Sequence, residues 1–333
     1  MKFGVFLPSF IWEGDGYERA QGIKDFARHA EELGFDSIFL TDHVITARRF
    51  YRVSWLEPLI THALVAGVTS RIRLGTSIVI VPLRQPVVFA KELATLQYLS
   101  GGRFIFGAGV GWYGPEFEAC GTTKSVRGAR TDEALEIIDR LLTERDVSFT
   151  GKHFQIDNVT IEPLPERRPP IWIGGGSQLA DPQSPEKPRF AKTVMDRVAR
   201  YDGWIPRPTS PPEQIAGDWQ ALQAHLRAAG RDPDSVAVVH ENFMHVVETT
   251  DRAQALAAQQ AAFGRVMSDE RSPEYLQQVH LFGTPDEIVE KLLARVRAGV
   301  QYFILHTLTP DQRQLDLWME HIIPHVESAM PAS

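Results

Sequence analysis

The sequence has only one cysteine and no long apolar run. Cys120 has no second cysteine with which to form an internal disulfide, so nothing in the 333-residue chain calls for an oxidising compartment. No segment approaches the roughly eighteen consecutive apolar residues of a membrane-spanning helix. The apolar start of the chain is interrupted at Pro8, short of a secretory signal. These absences predict a soluble, cytoplasmic protein.

Basic residues are also in deficit. The chain has 35 Lys and Arg against 42 Asp and Glu, which gives a formal net charge of -7, and the basic residues are scattered along the sequence. A scattered set provides no continuous positive surface for a phosphate backbone or an anionic membrane. We therefore expect neither nucleic acid nor a membrane as a partner.

Apolar strand-like runs alternate with segments of helical periodicity, with a repeat of about 30 residues or more, as in successive βα units. Eight strand candidates without a clear topological switch point favour a closed (β/α)8 TIM barrel of the α/β class over an open doubly wound sheet. We expect residues 1–333 to form one such domain, with loop insertions near 146–157 and 178–190. The strands are predicted to begin near Phe3, Phe35, Ile72 and Phe104 and to cover 171–173, 202–205, 236–247 and 301–305.

Asp42 and His43 directly follow the second predicted strand. In a barrel of this type, active residues lie at the C-terminal ends of the strands. His43 ends a strand next to a carboxylate, which makes it the candidate for proton transfer near neutral pH, with Asp42 as its partner. The alternative is a hydrogen bond between the two that is only structural. Because no second ligand stands at a recognisable spacing, we predict no metal site.

Two glycine-containing segments are candidates for cofactor contacts. The run Gly174-Gly175-Gly176-Ser177 can turn successive N–H groups toward a phosphate, and a flexible loop is the alternative. The earlier segment 107–111 does not open a helix at once, as a dinucleotide-binding fingerprint requires. Its glycines, Gly109 among them, either let a flat ligand approach the backbone or only form a turn.

Aromatic residues follow several of the predicted strands. Phe10 and Trp12 come after the first strand, Trp55 lies beyond the second, and Trp112 and Tyr113 come after the fourth. Together they are typical of an apolar pocket for a planar ring and an organic substrate. The alternative for each of them is a place in the core.

As a set, several segments resemble the bacterial-luciferase-like superfamily of flavin- and deazaflavin-dependent oxidoreductases. They are 30–43, 71–82, 90–111 and 170–177. The resemblance implies a (β/α)8 barrel, usually a homodimer, that binds reduced FMN or coenzyme F420 at the C-terminal ends of the strands. An FMN-dependent enzyme would also imply a separate flavin reductase as partner.

The resemblance also implies where the cofactor lies. A non-proline cis peptide at Ser77–Ile78, at the end of the third strand, would stand beside the cofactor ring. Asp42 and His43 would flank the same ring, and the glycine run 174–176 would hold the phosphate.

Trp112 stands where the sugar-phosphate dehydrogenase branch of this superfamily has a catalytic glutamate. This departure leads us to predict a monooxygenase that uses reduced FMN and O2 on a small apolar organic substrate. The alternative is F420-dependent hydride transfer by a dehydrogenase or reductase. Outside the superfamily, the alternatives are a barrel hydrolase that uses His43 with Asp42, and a non-catalytic binding protein. The stretch 178–188 is longer than the usual link and is expected to cover the substrate.

We expect His43→Ala to lower turnover by roughly a hundredfold without unfolding the protein, because a positioned acid–base group contributes about 10²–10⁴ to the rate. Steady-state turnover and thermal unfolding would be measured on the same preparation. Unchanged turnover would remove His43 from the mechanism.

Overall fold

The computed structural model describes residues 1–177, 179, 190–268 and 271–329. Eight parallel strands pair in chain order and the last pairs with the first, which closes a barrel and confirms the predicted (β/α)8 fold. None of the helices in these ranges has both the length and the apolar character that crossing a bilayer requires. The barrel strands are β1 (Lys2–Phe6), β2 (Ser37–Leu40), β3 (Arg73–Thr76), β4 (Phe104–Gly109), β5 (Ile171–Gly174), β6 (Gly203–Ile205), β7 (Ala237–Phe243) and β8 (Tyr302–His306).

The helices pack around the barrel and bury their apolar faces against it. In the first helix, Ile23, Phe26, Ala27 and Ala30 form one buried stripe at helical spacing. Near the C-terminus, Thr284 begins a helix and forms a capping box with Glu287. The helices are α1 (Glu18–Glu32), α2 (Pro58–Ala66), α3 (Pro86–Leu99), α4 (Gly114–Ala119), α5 (Arg127–Leu141), α6 (Lys192–Val198), α7 (Pro212–Ala228), α8 (Arg252–Val266), α9 (Pro273–Val279), α10 (Pro285–Arg297), α11 (Arg313–His321) and α12 (Ile323–Ser328).

Short strands lie outside the main barrel. Phe10–Ile11 pairs antiparallel with Ser54–Trp55 above the barrel mouth. Val147–Thr150 and Gln155–Val159 form an antiparallel hairpin. This is the segment where we predicted the first loop insertion, near 146–157. The second predicted insertion, 178–190, lies mostly outside the described residues.

Large side chains fill the barrel interior only because glycines stand beside them. Phe39 stacks on Trp172 with ring centroids 5.8 Å apart. A Cβ atom on Gly75 would lie 2.3 Å from the Phe39 ring, and one on Gly203 would lie 2.4 Å from the Trp172 ring. Neither approach is sterically allowed, so glycine at these positions makes room for the interior layer. The filled interior leaves the C-terminal end of the barrel as the place for a site.

A polar network occupies the opposite, N-terminal end of the barrel. Asp36 accepts a hydrogen bond from Arg73 at 2.7 Å and another from the Tyr302 hydroxyl, and it pairs with Lys2 at 3.1 Å. The Ser37 hydroxyl lies 2.5 Å from the Tyr302 hydroxyl. In TIM barrels this end carries stability rather than catalysis.

Glu31, in the last turn of α1, holds the chain that enters β3. Its Oε1 accepts hydrogen bonds from the N–H groups of Ser70, Arg71 and Ile72 at 2.8, 2.6 and 2.9 Å. Partial burial opposes the charge, but these backbone donors outweigh it, so the pKa of Glu31 lies below its ordinary value.

We expect Glu31→Gln to lower the free energy of unfolding by about 2 kcal/mol at pH 7, since hydrogen bonds to a charged group are the stronger ones. Because the pKa is lower in the folded state, this stabilisation is present above about pH 4 and is lost as the pH falls through the folded-state value. Urea unfolding at pH 7 and pH 3 checks both statements, with the exposed neighbour substitution Glu32→Gln as control. An equal loss at both pH values would contradict the charge-based explanation.

Candidate active site

A cavity of about 780 Å³ opens at the C-terminal end of the barrel. Its size and its mixed aromatic and polar lining are those of a site for an organic ligand. Four of the five predicted pocket residues line it, namely Phe10, Trp55, Trp112 and Tyr113.

Trp12 is the fifth predicted pocket residue, and the structure places it behind the cavity wall. Its ring meets Phe10 edge-on at 4.9 Å, and its indole N–H donates to the carbonyl of Arg265 at 3.1 Å. Trp12 therefore packs against a lining residue, and it is not one of the described residues that line the cavity.

His43 faces the cavity and is held from behind by Glu116. The Nδ1 atom of His43 lies 3.1 Å from Oε1 of Glu116, which also accepts the N–H of Val44 at 2.8 Å. Glu116 is fully buried at the start of α4. With Nδ1–H donating to this carboxylate, the neutral imidazole presents the lone pair of Nε2, to which no described residue bonds. This orientation suits a general base.

Aromatic rings surround the His43 imidazole. Its ring centroid lies 5.0 Å from that of Tyr51, 5.3 Å from that of Trp55 and 6.2 Å from that of Trp112. Burial raises the pKa of Tyr51; the charge of Arg271 opposes this effect, and smaller contributions from Glu116 and Glu241 add to it. The phenol therefore stays protonated and can donate a hydrogen bond into the cavity.

Asp42, predicted as the partner of His43, has a different place. Its carboxylate accepts the N–H of Ile80 at 2.8 Å and binds Arg84 through two contacts of 2.6 and 2.9 Å. Asp42 is buried and is not among the residues that line the cavity. Adjacent residues of an extended chain point to opposite sides, which is why Asp42 turns away from the side of His43.

The Ser77–Ile78 peptide bond is cis, as the resemblance implied. Ser77 turns its hydroxyl to Glu241 of β7 and donates to Oε2 at 2.5 Å. The Ile78 side chain explains why two of the predicted cofactor-contact positions are glycine. A Cβ atom would come within 2.5 Å of it at Gly109 and within 3.0 Å at Gly174. These glycines thus make space for an isoleucine of the protein itself.

The glycine run 174–177 was predicted to bind a phosphate, but most of its hydrogen-bond donors already donate to acceptors of the protein itself. The N–H of Gly175 donates to the carbonyl of Ile205 at 2.9 Å. The N–H and hydroxyl of Ser177 donate to the carboxylate of Asp218 at 2.6 and 2.7 Å. A carboxylate of the chain itself therefore lies where the phosphate was predicted.

Arg207 links the glycine run to the cavity. It donates from Nε to the carbonyl of Gly176 at 2.9 Å, and it also lines the cavity. Burial and the nearby charge of Arg127 lower the pKa of Arg207. Arg49, Lys124 and Arg271 are further cavity residues, so cations outnumber carboxylates among the described lining residues, where Glu241 is the one carboxylate.

Several of these residues were not predicted from the sequence. His306 directly follows the predicted strand 301–305, and the strand-end rule would have found it if it had been applied beyond the fifth strand. Glu241 lies inside the predicted strand 236–247, where that rule gives no signal. Glu116 carries no such signal, because it lies on a helix and reaches a residue 73 positions away.

The family model described as luciferase-like monooxygenase matches residues 1–302. The chain belongs to this family. Its name does not fix the reaction, because the relatives differ in their chemistry, but the protein is an oxidoreductase, as the resemblance implied.

Two curated relatives illustrate the similarity. The chain is 28% identical over 334 residues to the F420-dependent glucose-6-phosphate dehydrogenase of Nakamurella multipartita, with 92% of each chain covered. It is 30% identical over 278 residues to the F420-dependent hydroxymycolic acid dehydrogenase of Mycobacterium tuberculosis, covering 82% of this chain and 71% of the relative.

Two solved structures share the fold. One is a monooxygenase from Streptomyces bottropensis, with a TM-score of 0.80, 24% identity, and 98% and 99% of the two chains covered. The other is an F420-dependent secondary alcohol dehydrogenase, with a TM-score of 0.81, 19% identity and 98% of each chain covered. At these identities the similarity shows the barrel and not the reaction.

We expect Asp42→Asn to act on stability, lowering the free energy of unfolding by about 3 kcal/mol, because it removes the nearer charge partner of the mostly buried Arg84, while Glu57 stays 3.5 Å away. Adding Arg84→Met to it should restore part of the loss. Denaturant unfolding measures both, and turnover of the folded Asp42→Asn protein should stay within about threefold of wild type. If Asp42→Asn is as stable as wild type but inactive, the result would contradict a structural role for Asp42 and support the catalytic role predicted from the sequence.

Proposed function

We propose that the protein is a dehydrogenase or reductase that transfers hydride between coenzyme F420 and the hydroxyl- or carbonyl-bearing carbon of an organic substrate. The observation that carries the proposal is the His43–Glu116 pair, whose free ring nitrogen faces the cavity. Oxidation of an alcohol by hydride transfer releases the hydroxyl proton, and a fixed base is needed to accept it.

The preference for reduced FMN drawn from the sequence rested on Trp112 replacing a carboxylate. Glu116, four residues later, brings a carboxylate to His43. The site therefore does not lack an acidic partner for the base. Both curated relatives described above carry F420-dependent dehydrogenase names, and this supports the alternative over FMN-dependent oxygenation.

The cavity fits a planar cofactor with an anionic tail. Rings such as Trp55 and Trp112 provide flat apolar walls, and Arg49, Lys124 and Arg207 provide positive charge for phosphate or carboxylate groups. When bound, the deazaflavin would supply the carbon that accepts or donates hydride. The cationic lining is a better place for the tail than the donors of the glycine run, because Asp218 occupies those of Ser177.

The chain's own residues then have defined tasks. Nε2 of His43 accepts the hydroxyl proton of the substrate, and the Glu116 carboxylate stabilises the imidazolium that results. The protonated hydroxyl of Tyr51 donates a hydrogen bond to the substrate oxygen. The rings around His43 exclude water, which strengthens these electrostatic interactions.

FMN-dependent monooxygenation is the second candidate. The aromatic cage of Tyr51, Trp55 and Trp112 favours it, because an oxygenated flavin needs protection from water. In that case a separate flavin reductase and a small apolar substrate would complete the reaction.

The homodimer stays a prediction, and one face of the barrel suits it. Helix α2 is apolar on nearly all sides, although such helices are normally buried. Ile60 and Leu64 of α2 are 74% and 40% exposed, and Val88 of the adjacent α3 is 58% exposed. We expect a second copy of the chain to cover this face.

The purified protein would be titrated side by side with F420, FMN and reduced FMN, followed by tryptophan fluorescence. We expect F420 to bind in the micromolar range or tighter and to be reduced anaerobically by an alcohol. Selective binding of reduced FMN with substrate-dependent oxygen consumption would instead support the monooxygenase. No binding of any of the three would contradict both.

A further inference from the structure

A second imidazole–carboxylate pair lies on the cavity floor. Nε2 of His306, the last residue of β8, is 2.8 Å from Oε1 of Glu241 on β7. The other oxygen of Glu241 accepts the hydroxyl of Ser77. Ser77 follows β3, which stands opposite β7 in the eight-stranded order, so this hydrogen bond crosses the barrel.

In this pair, one ring nitrogen of His306 is bonded to Glu241 and the other is available to the cavity. His306 and Glu241 both line the cavity, although their side chains are only 11% and 12% exposed. Nε2 is bound to Glu241, and no described residue hydrogen-bonds to Nδ1. His43 has the reverse arrangement, with Nδ1 fixed and Nε2 free. The described residues therefore line the cavity with three imidazoles; His43 and His306 are each fixed by a carboxylate, whereas Nδ1 of His280 lies 3.1 Å from Oδ1 of Asn242.

Packing alone does not account for this pair. The His306 ring stacks on Phe6 with centroids 3.5 Å apart and is tilted against Phe243 at 4.6 Å. Burying a carboxylate in such apolar surroundings is costly, and an apolar pair of similar volume would fill the space at least as well. Titratable groups kept in a cleft against this cost are candidates for function.

We propose that His306 is a second proton-exchange group of the active site, oriented by Glu241 and, through Glu241, by Ser77. This inference rests on the proposed F420-dependent reaction. Glu241 and Ser77 are positioning residues, since they act through the imidazole.

The proton balance of the reaction gives each imidazole a task. When an alcohol is oxidised, the C–H bond breaks and its electron pair leaves as hydride for the deazaflavin. The O–H bond breaks, its proton goes to Nε2 of His43, and the C=O bond forms. The reduced cofactor would then take up one proton. Because Nε2–H of His306 donates to Glu241, Nδ1 carries a proton only in the imidazolium form, and that form would deliver it; solvent then returns a proton to His306 and removes one from His43.

The described charged and titratable groups near His306 come from the neighbouring strands and from the rest of the cavity lining. Of the strands packed against it, β1 contributes Phe6, and β7 contributes Glu241 and Phe243. The described cavity lining adds His43, which Glu116 holds, and His280, which contacts the same Phe243 ring as His306. Its cations are Arg49, Lys124, Arg207 and Arg271, and both Glu116 and Arg271 act on the same Tyr51 phenol as Glu241 does.

The test compares His306→Gln and Glu241→Gln with His29→Gln. His29 forms a pair of the same kind with Asp316, also at 2.8 Å, outside the cavity. The affinity of each protein for oxidised and reduced F420 would be measured from pH 5.5 to pH 8.5. We expect wild type and His29→Gln to show a pH-dependent affinity for reduced F420 that changes by up to about tenfold per pH unit. His306→Gln should lose this dependence and lower turnover by roughly a hundredfold.

Nitrogen-15 NMR of the histidine rings in the cofactor-free protein adds a readout that does not depend on activity. We expect the Nδ1 signal of His306 to be that of a nitrogen without a hydrogen-bond partner in the protein, and Glu241→Gln to change the tautomer of the ring. Retained binding of oxidised F420 shows that each variant is folded. If wild type binds F420 but His306→Gln matches His29→Gln in both pH dependence and turnover, this inference alone is overturned. If wild type binds no F420, the proposed function falls with it.

Discussion

The parallel hydrogen bonds between β8 and β1 close the sheet, and every residue of the site depends on that closure. In an open sheet, β3 and β7 would stand far apart along the row of strands. In the barrel their ends face each other, so that Ser77 reaches Glu241. The glycines that admit Phe39 and Trp172 to the interior fill the centre of the barrel, and ligand-sized space remains at its mouth.

Four buried or nearly buried carboxylates stand near this mouth, and their partners decide what each one does. Asp42 is neutralised by Arg84, and Asp218 binds the donors of Ser177, so both hold parts of the protein together. Glu116 and Glu241 instead each bind an imidazole whose other nitrogen faces the cavity. A buried carboxylate is costly wherever it lies, but only the second kind of pairing leaves a titratable group in contact with a ligand.

The sequence was sufficient to predict the barrel, because hydrophobic periodicity is a local property that repeats once per βα unit. It also placed His43 at the end of a strand, where the structure has it lining the cavity, because the end of a strand can be recognised from the chain itself; its catalytic role stays a prediction. It did not predict the partner of His43, because Glu116 comes from a helix after another strand and only the folded barrel brings the two together. The glycines were recognised, but one reason for them was not: Gly109 and Gly174 accommodate Ile78, a contact between three strand ends that no spacing reveals. Their contact with a cofactor stays a prediction.

Glu116 binds both a side chain and a backbone group, and it thereby connects the loop after β2 to helix α4. One oxygen of this carboxylate holds both the His43 ring and the backbone N–H of Val44, so the loop after β2 is fastened to the first turn of α4. Trp112 and Tyr113 lie at the cavity wall directly before α4. We therefore expect a ligand that displaces these rings to move the carboxylate and the imidazole together, so that the shape of the bound molecule would set the position of the proposed base.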